Sequence, residues 1–488
     1  MNNFFEILDK NKSLKKPALV ENSKTVSYKD LFTLCRSLSS FLASKDIKTG
    51  DRIGIFLPNS IEFAVSFFAC LDLGAIAVPI NPKFKKNEIQ YYLTDSGPKL
   101  ILTSDILKTV LMEMNQDLEN KIVGIKGDNP DIDIFHNSPC EQRIQGPSDK
   151  DTKAIYLYST GSTGVPKRVS RTHKNLISLA SNHSETVGLD SSEKILFTIP
   201  ISHTYALGNF VSAIKSAMTC NMLEDFNRKK VAEIIVREKI TIYPCVPFIL
   251  DVLAQSDIDP ISLKSLKLVI SAGAPLSKDV FNKFSEKFKI QPRQLYGSSE
   301  TGVISINLSE DIENTSDSVG RPVKGVTVRI IKEDGREAKT GELGEITVKS
   351  ATMTTGYNNM PEETKKVFKN GFYYTGDLGY IDEDGMIYIK GRKKLMINIS
   401  GNKVDPVEIE NLLSTHPKIE EAAVVGLTGR NGNEFIKAFI VCGGKIEKSE
   451  IIVYLKNKIT DYKIPKLIEF VDIIPKSPTG KILRNKLT

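Results

Sequence analysis

A segment rich in glycine and hydroxyl side chains could hold the phosphates of a nucleotide. Residues 158–168 read Tyr-Ser-Thr-Gly-Ser-Thr-Gly-Val-Pro-Lys-Arg and follow an apolar, strand-like run. Glycines allow close backbone approach, hydroxyls and amides can donate hydrogen bonds to phosphate oxygens, and Lys167 adds a positive charge. The spacing matches neither a Walker A loop nor a G-x-G-x-x-G turn. Taken alone, the segment is explained equally well as an ordinary Ser/Gly-rich surface loop.

Two further segments place a carboxylate beside a glycine turn. In residues 294–302, Tyr296 could stack on a base and Glu300 could hold a magnesium ion. In residues 373–377, Asp377 could accept two hydrogen bonds from a ribose diol, while Arg392 downstream donates to the same sugar. Taken alone, each segment is equally well or better explained as a solvent-exposed turn without a binding role.

A fourth candidate lies close to the C-terminus. Residues 475–481, Pro-Lys-Ser-Pro-Thr-Gly-Lys, would form a short, rigid loop that ends on Lys481. A lysine on such a loop can be presented to a developing negative charge. Most lysines this near a terminus simply face water, so the segment by itself is a weak signal.

Together, the four segments resemble the adenylate-forming superfamily of acyl-CoA synthetases, aryl-acid and amino-acid adenylation domains, and luciferases. Both their sequences and their order agree, and the resemblance extends from residue 26 to Lys481. It implies an enzyme that uses ATP, Mg²⁺ and a thiol, most simply CoA. In this family a carboxylic acid attacks the α-phosphate of ATP, pyrophosphate leaves, and a thiol opens the acyl-adenylate to a thioester.

The resemblance also implies roles for individual residues. Lys481 would bridge the substrate carboxylate and the α-phosphate, and Glu300 would bind magnesium. The implied nucleotide-binding set consists of Thr160, Gly161, Ser162, Thr163, Gly164 and Lys167 at the β- and γ-phosphates, Gly273, Ala274, Pro275 and Tyr296 at adenine, Asp377 and Arg392 at the ribose, and Thr301 beside Glu300.

Two more catalytic positions follow from the same resemblance. Lys394 matches the hinge about which the small domain turns between the two half-reactions, against the alternative of an exposed residue in a lysine-rich run. His203 matches a position beside the acid-binding pocket, against the alternative of a packed core histidine. Its segment lacks the Asp with which amino-acid-activating relatives pair an α-amine. The expected substrate is therefore a carboxylic acid without an α-amine.

The subclass stays open at the level of sequence. Arg168 replaces the glycine usual after the Pro-Lys pair, and Asn398 stands where many coumarate-ligase-like members have lysine. Residues 171–173, Arg-Thr-His, are similar to aryl-acid-activating relatives. An acyl-CoA synthetase is the leading hypothesis, and a stand-alone adenylation enzyme that loads a separate carrier protein is the alternative. A non-catalytic nucleotide-binding protein is disfavoured because Glu300, Asp377 and Lys481 are all retained.

The elements that must position these residues have an α/β pattern. Near-continuous apolar runs separated by helix-length segments predict mostly parallel sheets covered by helices. A β-rich subdomain is expected at about residues 320–391, with an Asp384-Gly385 hairpin turn. The predicted organisation is an AMP-binding adenylation domain over residues 1–391 and a small, mobile α+β domain over residues 392–488, hinged near Lys394.

Composition and charge exclude other classes of protein. The chain has 488 residues, 40% hydrophobic and 26% charged, which is typical of several globular domains. Its net charge of +7 is small for a dedicated nucleic-acid binder, so no nucleic-acid partner is expected. Residues 393–488 carry +5 of that charge, which suits an anionic thiol donor, whether CoA or an acidic carrier protein.

Targeting and membrane signals point to a cytoplasmic enzyme. The N-terminus lacks a basic region followed by an apolar core, and the scattered cysteines have no zinc-site spacing. The most apolar stretch, residues 61–80, contains Glu62 and Asp72. It is predicted to be a buried helix that runs into a buried strand, and no membrane span is expected.

Overall fold

The computed structural model describes residues 2–135, 146–147, 149–159, 166–399, 402–428, 434–456, 458–476 and 482–487. Its largest element is a nine-stranded sheet in which a parallel centre is flanked by antiparallel edge strands. In spatial order the strands are β15 (Arg321–Pro322), β14 (Gly302–Ile306), β13 (Arg293–Ser298), β12 (Leu268–Ser271), β11 (Ile242–Cys245), β9 (Lys194–Phe197), β10 (Thr219–Met222), β1 (Pro17–Glu21) and β2 (Lys24–Ser27).

A second sheet of six strands is also mainly parallel. Its strands in spatial order are β6 (Ile122–Lys126), β5 (Leu100–Ser104), β3 (Arg52–Phe56), β4 (Ile76–Pro79), β7 (Lys153–Ser159) and β8 (Lys167–Thr172). Strands β7 and β8 pair antiparallel, with Ser159 opposite Lys167. The predicted phosphate segment therefore connects the two strands of a hairpin at the sheet edge.

Helices cover both sheets, as the alternating sequence pattern predicts. The helices described up to residue 367 are α1 (Glu6–Asn11), α2 (Tyr28–Ser44), α3 (Ile61–Leu73), α4 (Lys86–Ser96), α5 (Asp105–Met114), α6 (His173–Val187), α7 (Thr204–Lys215), α8 (Arg228–Glu238), α9 (Pro247–Ala254), α10 (Lys278–Phe288), α11 (Ile312–Thr315) and α12 (Pro361–Val367), of which α12 lies beside a separate antiparallel sheet described below. Short 3₁₀ helices span Gln116–Lys121, Pro260–Leu263, Asp461–Lys463 and Arg484–Lys486.

Helix α3 shows why the most apolar stretch is a core element. Every one of its residues is buried, and the Ser60 hydroxyl accepts a hydrogen bond from the Phe63 amide to cap its first turn. Its two carboxylates are neutralised inside the protein. Glu62 lies 2.9 Å from Lys126 Nζ, and Asp72 lies 3.0 Å from an Arg36 nitrogen. The predicted helix followed by a strand, β4, is confirmed.

An antiparallel sheet follows the nine-stranded sheet in the chain. It consists of β16 (Val326–Ile331), β17 (Gly344–Ser350), β18 (Phe368–Lys369), β19 (Phe372–Ile381) and β20 (Ile387–Arg392). Strands β19 and β20 form the predicted hairpin, and Gly385 at its turn has φ +75°, a conformation that favours glycine. The pairing places Asp377 directly opposite Arg392.

The last part of the chain has sheets and an apolar core of its own. Strands β21 (Ile397–Ile399) and β22 (Asn402–Val404) pair with each other, and β23 (Ile419–Thr428), β24 (Glu434–Cys442) and β25 (Leu467–Phe470) form a three-stranded sheet packed by α13 (Pro406–Leu413) and α14 (Lys448–Lys456). The α/β class with a small C-terminal α+β unit is confirmed. Of the helices described, none is long and apolar enough to cross a membrane.

Candidate active site

Three of the predicted nucleotide-binding residues meet around one carboxylate. Arg392 Nε donates to Asp377 Oδ1 at 2.5 Å, and the Tyr296 hydroxyl donates to Asp377 Oδ2 at 2.6 Å. Asp377 is only 7% exposed. The β19–β20 hairpin supplies the Asp–Arg pair, and Tyr296 enters from β13 of the nine-stranded sheet. We call this cluster the ribose end.

Electrostatics keep the ribose end charge-balanced. Burial and the neighbouring Asp377 carboxylate raise the pKa of Tyr296 well above its usual value, so its hydroxyl remains a donor. Burial lowers the pKa of Arg392, but the attraction of Asp377 outweighs it, and the net shift is upward. The Asp377 carboxylate is therefore held by one fixed cation and one neutral hydroxyl.

A second buried carboxylate, Glu300, lies in the turn between β13 and β14. The Tyr357 hydroxyl donates to Glu300 Oε1 at 2.8 Å, and Glu300 is only 5% exposed. Gly302 ends the turn with φ +77°, and a Cβ there would lie 2.9 Å from an Arg171 nitrogen. Thr301 braces the same turn through its hydroxyl, 3.0 Å from the Ser298 hydroxyl. Glycine and two hydroxyl residues thus fix the backbone that presents Glu300.

Arg171 is a buried cation behind this turn. Its side chain is fully buried, and one terminal nitrogen donates to the Ser299 carbonyl at 2.7 Å. Burial lowers its pKa to about 10, with the Glu300 charge acting in the opposite direction. In the sequence alone, Arg171 is only a mark of subclass. The sequence does contain one clue to its position. Side chains alternate between the two faces of a strand, so Lys167, Val169 and Arg171 of β8 lie on the same face.

Lys167 lies on the same strand, at the end nearest the phosphate segment. Its Nζ is 2.6 Å from Glu363 Oε2 and 4.8 Å from the centroid of the Tyr357 ring. Tyr357 therefore contacts both Lys167 and Glu300, and the two predicted ligands are neighbours. We call these three residues the phosphate end. The other predicted phosphate ligands, Thr160, Gly161, Ser162, Thr163 and Gly164, lie outside the described residues.

The remaining predicted residues surround these two ends. Gly273, Ala274 and Pro275 are exposed in the loop after β12, and Gly273 has φ +87°. His203 precedes α7, and its Nδ1 accepts from the Tyr205 amide at 3.3 Å. Lys394 is exposed in the turn that follows Arg392. Lys481 lies outside the described residues.

The start of α7 also contacts the Glu300 turn. The hydroxyls of Thr204 and Ser299 are 3.1 Å apart, one residue along the chain from His203 and Glu300 respectively. The structure therefore brings the segment that carries His203 to the same turn as the carboxylate. Sequence order gave no hint of this contact, because the two segments are far apart in the chain.

A single carboxylate at the phosphate end suits a magnesium ion that arrives with phosphates. Within the described ranges, no three His, Cys, Asp or Glu residues group in a way that could hold a metal. Proteins usually bind Mg²⁺ through one or two carboxylates together with substrate phosphates. Buried Glu300, which shares the contact residue Tyr357 with Lys167, fits that pattern.

The fold and the two ends are those expected of a nucleotide-dependent α/β enzyme. Residues 8–358 match the AMP-binding enzyme family, and residues 408–481 match the AMP-binding enzyme C-terminal domain. The chain belongs to the AMP-binding enzyme family, and the resemblance drawn from the four sequence segments is confirmed.

Full-length relatives extend this comparison. The chain is 31% identical to the long-chain-fatty-acid–CoA ligase FadD13 of Mycobacterium tuberculosis, over 96% of this chain and 94% of that protein. It is 32% identical to 4-coumarate–CoA ligase 2 of Nicotiana tabacum, over 97% of this chain and 91% of the other. Both similarities include the small C-terminal unit.

Solved structures agree with the fold. MatB from Rhodopseudomonas palustris with ATP bound aligns with a TM-score of 0.92 at 27% identity, over 100% of this chain and 98% of MatB. The apo form of MatB aligns at 0.78 and 28% identity, with the same coverage. The backbone of this chain is therefore closer to the ATP-bound form.

Proposed function

We propose that this protein is an ATP-dependent, AMP-forming acyl-CoA synthetase. The observation that carries the proposal is the pair of buried carboxylates, Asp377 and Glu300, each held by a tyrosine hydroxyl at one end of the site. Family membership and full-length similarity to CoA ligases support ATP and CoA as its co-substrates. An AMP-forming acid–thiol ligase must bind both the ribose and the phosphates of ATP. In this chain the ribose end and the phosphate end are the candidates for these two roles.

The chemistry requires two anions to meet. A carboxylate oxygen attacks the α-phosphorus of ATP, the bond to the bridging oxygen breaks, and pyrophosphate leaves. The sulfur of the thiol then attacks the acyl carbon, and AMP leaves with the oxygen that bridged it to the acyl group. Positioning and neutralisation of charge supply most of such catalysis.

Each end of the site has a defined part in this scheme. Asp377, held by Tyr296 and Arg392, would accept hydrogen bonds from the ribose hydroxyls. Glu300 would hold Mg²⁺, which supplies charge neutralisation at the phosphates when it is bound. Lys167 would donate to the terminal phosphates, together with residues 160–164, and Lys481 would neutralise the reacting carboxylate and the α-phosphate.

A domain boundary between residues 391 and 392 would allow the small C-terminal domain to move, so that one site could serve both half-reactions. Exposed Lys394 follows the Asp377–Arg392 hairpin directly and precedes β21, where the C-terminal sheets begin. The gap between the two family matches, residues 359–407, contains this point. We propose that residues 392–488 turn about Lys394 after adenylation to admit the thiol.

The proposal also covers the identity of the carboxylic acid and of the thiol that accepts the acyl group. The segment at His203 favours an acid without an α-amine, and the named relatives act on a long-chain fatty acid and on 4-coumarate. We propose one of these two classes, with CoA as the acceptor, and keep a carrier protein as the alternative. A cytoplasmic location stays a prediction.

Pyrophosphate exchange over a panel of acids tests this function. Acid-dependent ATP–pyrophosphate exchange is expected with long-chain fatty acids or hydroxycinnamates, followed by thioester formation with free CoA. Transfer only to a carrier protein would favour the alternative acceptor. Acid-independent or absent exchange by folded protein would contradict the proposal.

Lys481→Ala separates the two half-reactions. Loss of this cation should slow adenylation by at least about a hundredfold, because charge at the reacting phosphate is no longer neutralised. Thioester formation from supplied acyl-adenylate should remain close to wild type. Equal loss in both assays would contradict the role of Lys481.

A further inference from the structure

The lysine of the phosphate end already has a carboxylate partner within the protein. Lys167 Nζ lies 2.6 Å from Glu363 Oε2, and the Lys167 side chain is only 12% exposed. The other Glu363 oxygen lies 2.5 Å from Lys366 Nζ. Glu363 therefore neutralises Lys167 before any phosphate reaches it.

The fold holds Glu363 at this position. Tyr357 forms an antiparallel bridge with Val169 of β8, and the Asn358 amide donates to the Arg168 carbonyl at 3.0 Å. Helix α12 then begins at Pro361, which places Glu363 in its first turn. The segment from Tyr357 to Glu363 thus lies against the strand that carries Lys167. The ion pair follows from this backbone pairing, in contrast to a chance contact between two long surface side chains.

The charge of Glu363 persists throughout the working pH range. Its hydrogen bonds with Lys167 and Lys366 lower its pKa to about 2. A phosphate that approaches Lys167 therefore meets an ionised carboxylate. It must share the ammonium group with that carboxylate or displace it, and two anions close together repel each other.

We infer that Glu363 is a positioning residue that competes with phosphate groups for Lys167 and so weakens the binding of ATP and pyrophosphate. This inference rests on the proposed function, in which Lys167 contacts the terminal phosphates. This competition should also make pyrophosphate dissociate more readily during turnover, because the ion pair between Glu363 and Lys167 forms again as the product leaves. The acid subsite is not affected by this competition.

A pair of neighbouring substitutions tests the inference. Glu363→Gln should lower the KM for ATP and the inhibition constant for pyrophosphate by about three- to tenfold, because the phosphates no longer compete with a carboxylate. The KM for the acid should stay unchanged, a split that a merely structural effect would not produce. Glu362→Gln is the matched control: it makes the same charge change on the same helix, but its 77% exposed side chain pairs with Lys365.

The outcomes separate this inference from the proposed function. A wild-type protein with no acid-dependent exchange would contradict the function itself. Normal wild-type exchange together with an unchanged or raised KM for ATP in Glu363→Gln would overturn only the inference. Thermal unfolding of each variant checks the fold, and Glu363→Ala gives the same test if the glutamine variant is unstable. Glu363→Asp, which keeps the charge, should stay closer to wild type in ATP affinity.

Discussion

The ribose end and the phosphate end each contain a buried carboxylate that accepts a hydrogen bond from a tyrosine hydroxyl, yet their charge balance differs. Asp377 is paired directly with Arg392 at 2.5 Å. At the phosphate end, the structure as described shows no cation within ion-pair distance of Glu300. The nearby Arg171 donates to backbone carbonyls of the turn that precedes Glu300.

This difference suits two kinds of ligand. A ribose diol is neutral, so a carboxylate that binds it gains little from excess negative charge and is better fixed by a cation. A magnesium ion is doubly positive, and a carboxylate that binds it must keep its own charge available. The roles proposed for the two carboxylates would therefore separate orientation of the nucleotide at Asp377 from charge neutralisation at Glu300.

Among the substitutions that test the difference between the two ends, Glu300→Gln should have the largest effect on activity. It keeps the shape of the side chain but removes its charge, so we expect acid-dependent exchange to fall by about two to three orders of magnitude. The Mg²⁺ concentration for half-maximal exchange should rise as well. Titrating Mg²⁺ at saturating ATP measures both changes. An unaltered Mg²⁺ requirement would remove Glu300 as the metal ligand.

Asp377→Asn should have a smaller effect of a different kind. Loss of a charged acceptor for the ribose hydroxyls should raise the KM for ATP about 10- to 100-fold. The Mg²⁺ requirement should not move, because Asp377 lies at the other end. Steady-state kinetics at fixed free Mg²⁺ checks this result. If Asp377→Asn and Glu300→Gln shifted the Mg²⁺ titration equally, the distinction between the two ends would fail.

The smallest effects are expected for the two tyrosine hydroxyls. Tyr296→Phe and Tyr357→Phe each remove one hydrogen bond to a carboxylate, with an expected loss of about fivefold in kcat/KM for ATP. Tyr296→Phe should act through the KM for ATP, and Tyr357→Phe through the Mg²⁺ requirement. The same kinetic experiments resolve the two. If Tyr296→Phe changed the Mg²⁺ requirement and Tyr357→Phe changed the KM for ATP, the hydroxyls would not act through the carboxylates that they contact.

Local patterns were enough to predict much of the fold, and they proposed Asp377 and Arg392 as partners of one sugar. The apolar runs predicted buried parallel strands, and the Asp384-Gly385 turn predicted the hairpin. The turn sets the register as far as Gly379, and a β-bulge between Leu378 and Gly379 then places Asp377 opposite Arg392 instead of Gly391. Turn type and loop length fix the register next to a hairpin turn, so the turn predicts the hairpin but not the bulge that aligns Asp377 with Arg392.

The contacts that assemble the phosphate end could not be predicted in this way. Tyr357 and Glu363 come from the antiparallel sheet region, while Lys167 and Arg171 lie on an edge strand of the six-stranded sheet. Their contacts depend on how distant elements pack, which no short motif encodes. Arg171 in particular has the residue type expected at a surface. The alternation along β8 places it on the face of Val169, but only the fold shows that its side chain is fully buried.

The most direct test of the central claim follows the oxygen atoms of the acid. The enzyme is supplied with a carboxylic acid that carries ¹⁸O in its carboxyl group, together with ATP, Mg²⁺ and CoA, and the nucleotide product is analysed by mass spectrometry. An acyl-adenylate route predicts AMP as the product, with one ¹⁸O atom per AMP and one thioester formed for each. AMP without the label, or ADP as the product, would contradict the account.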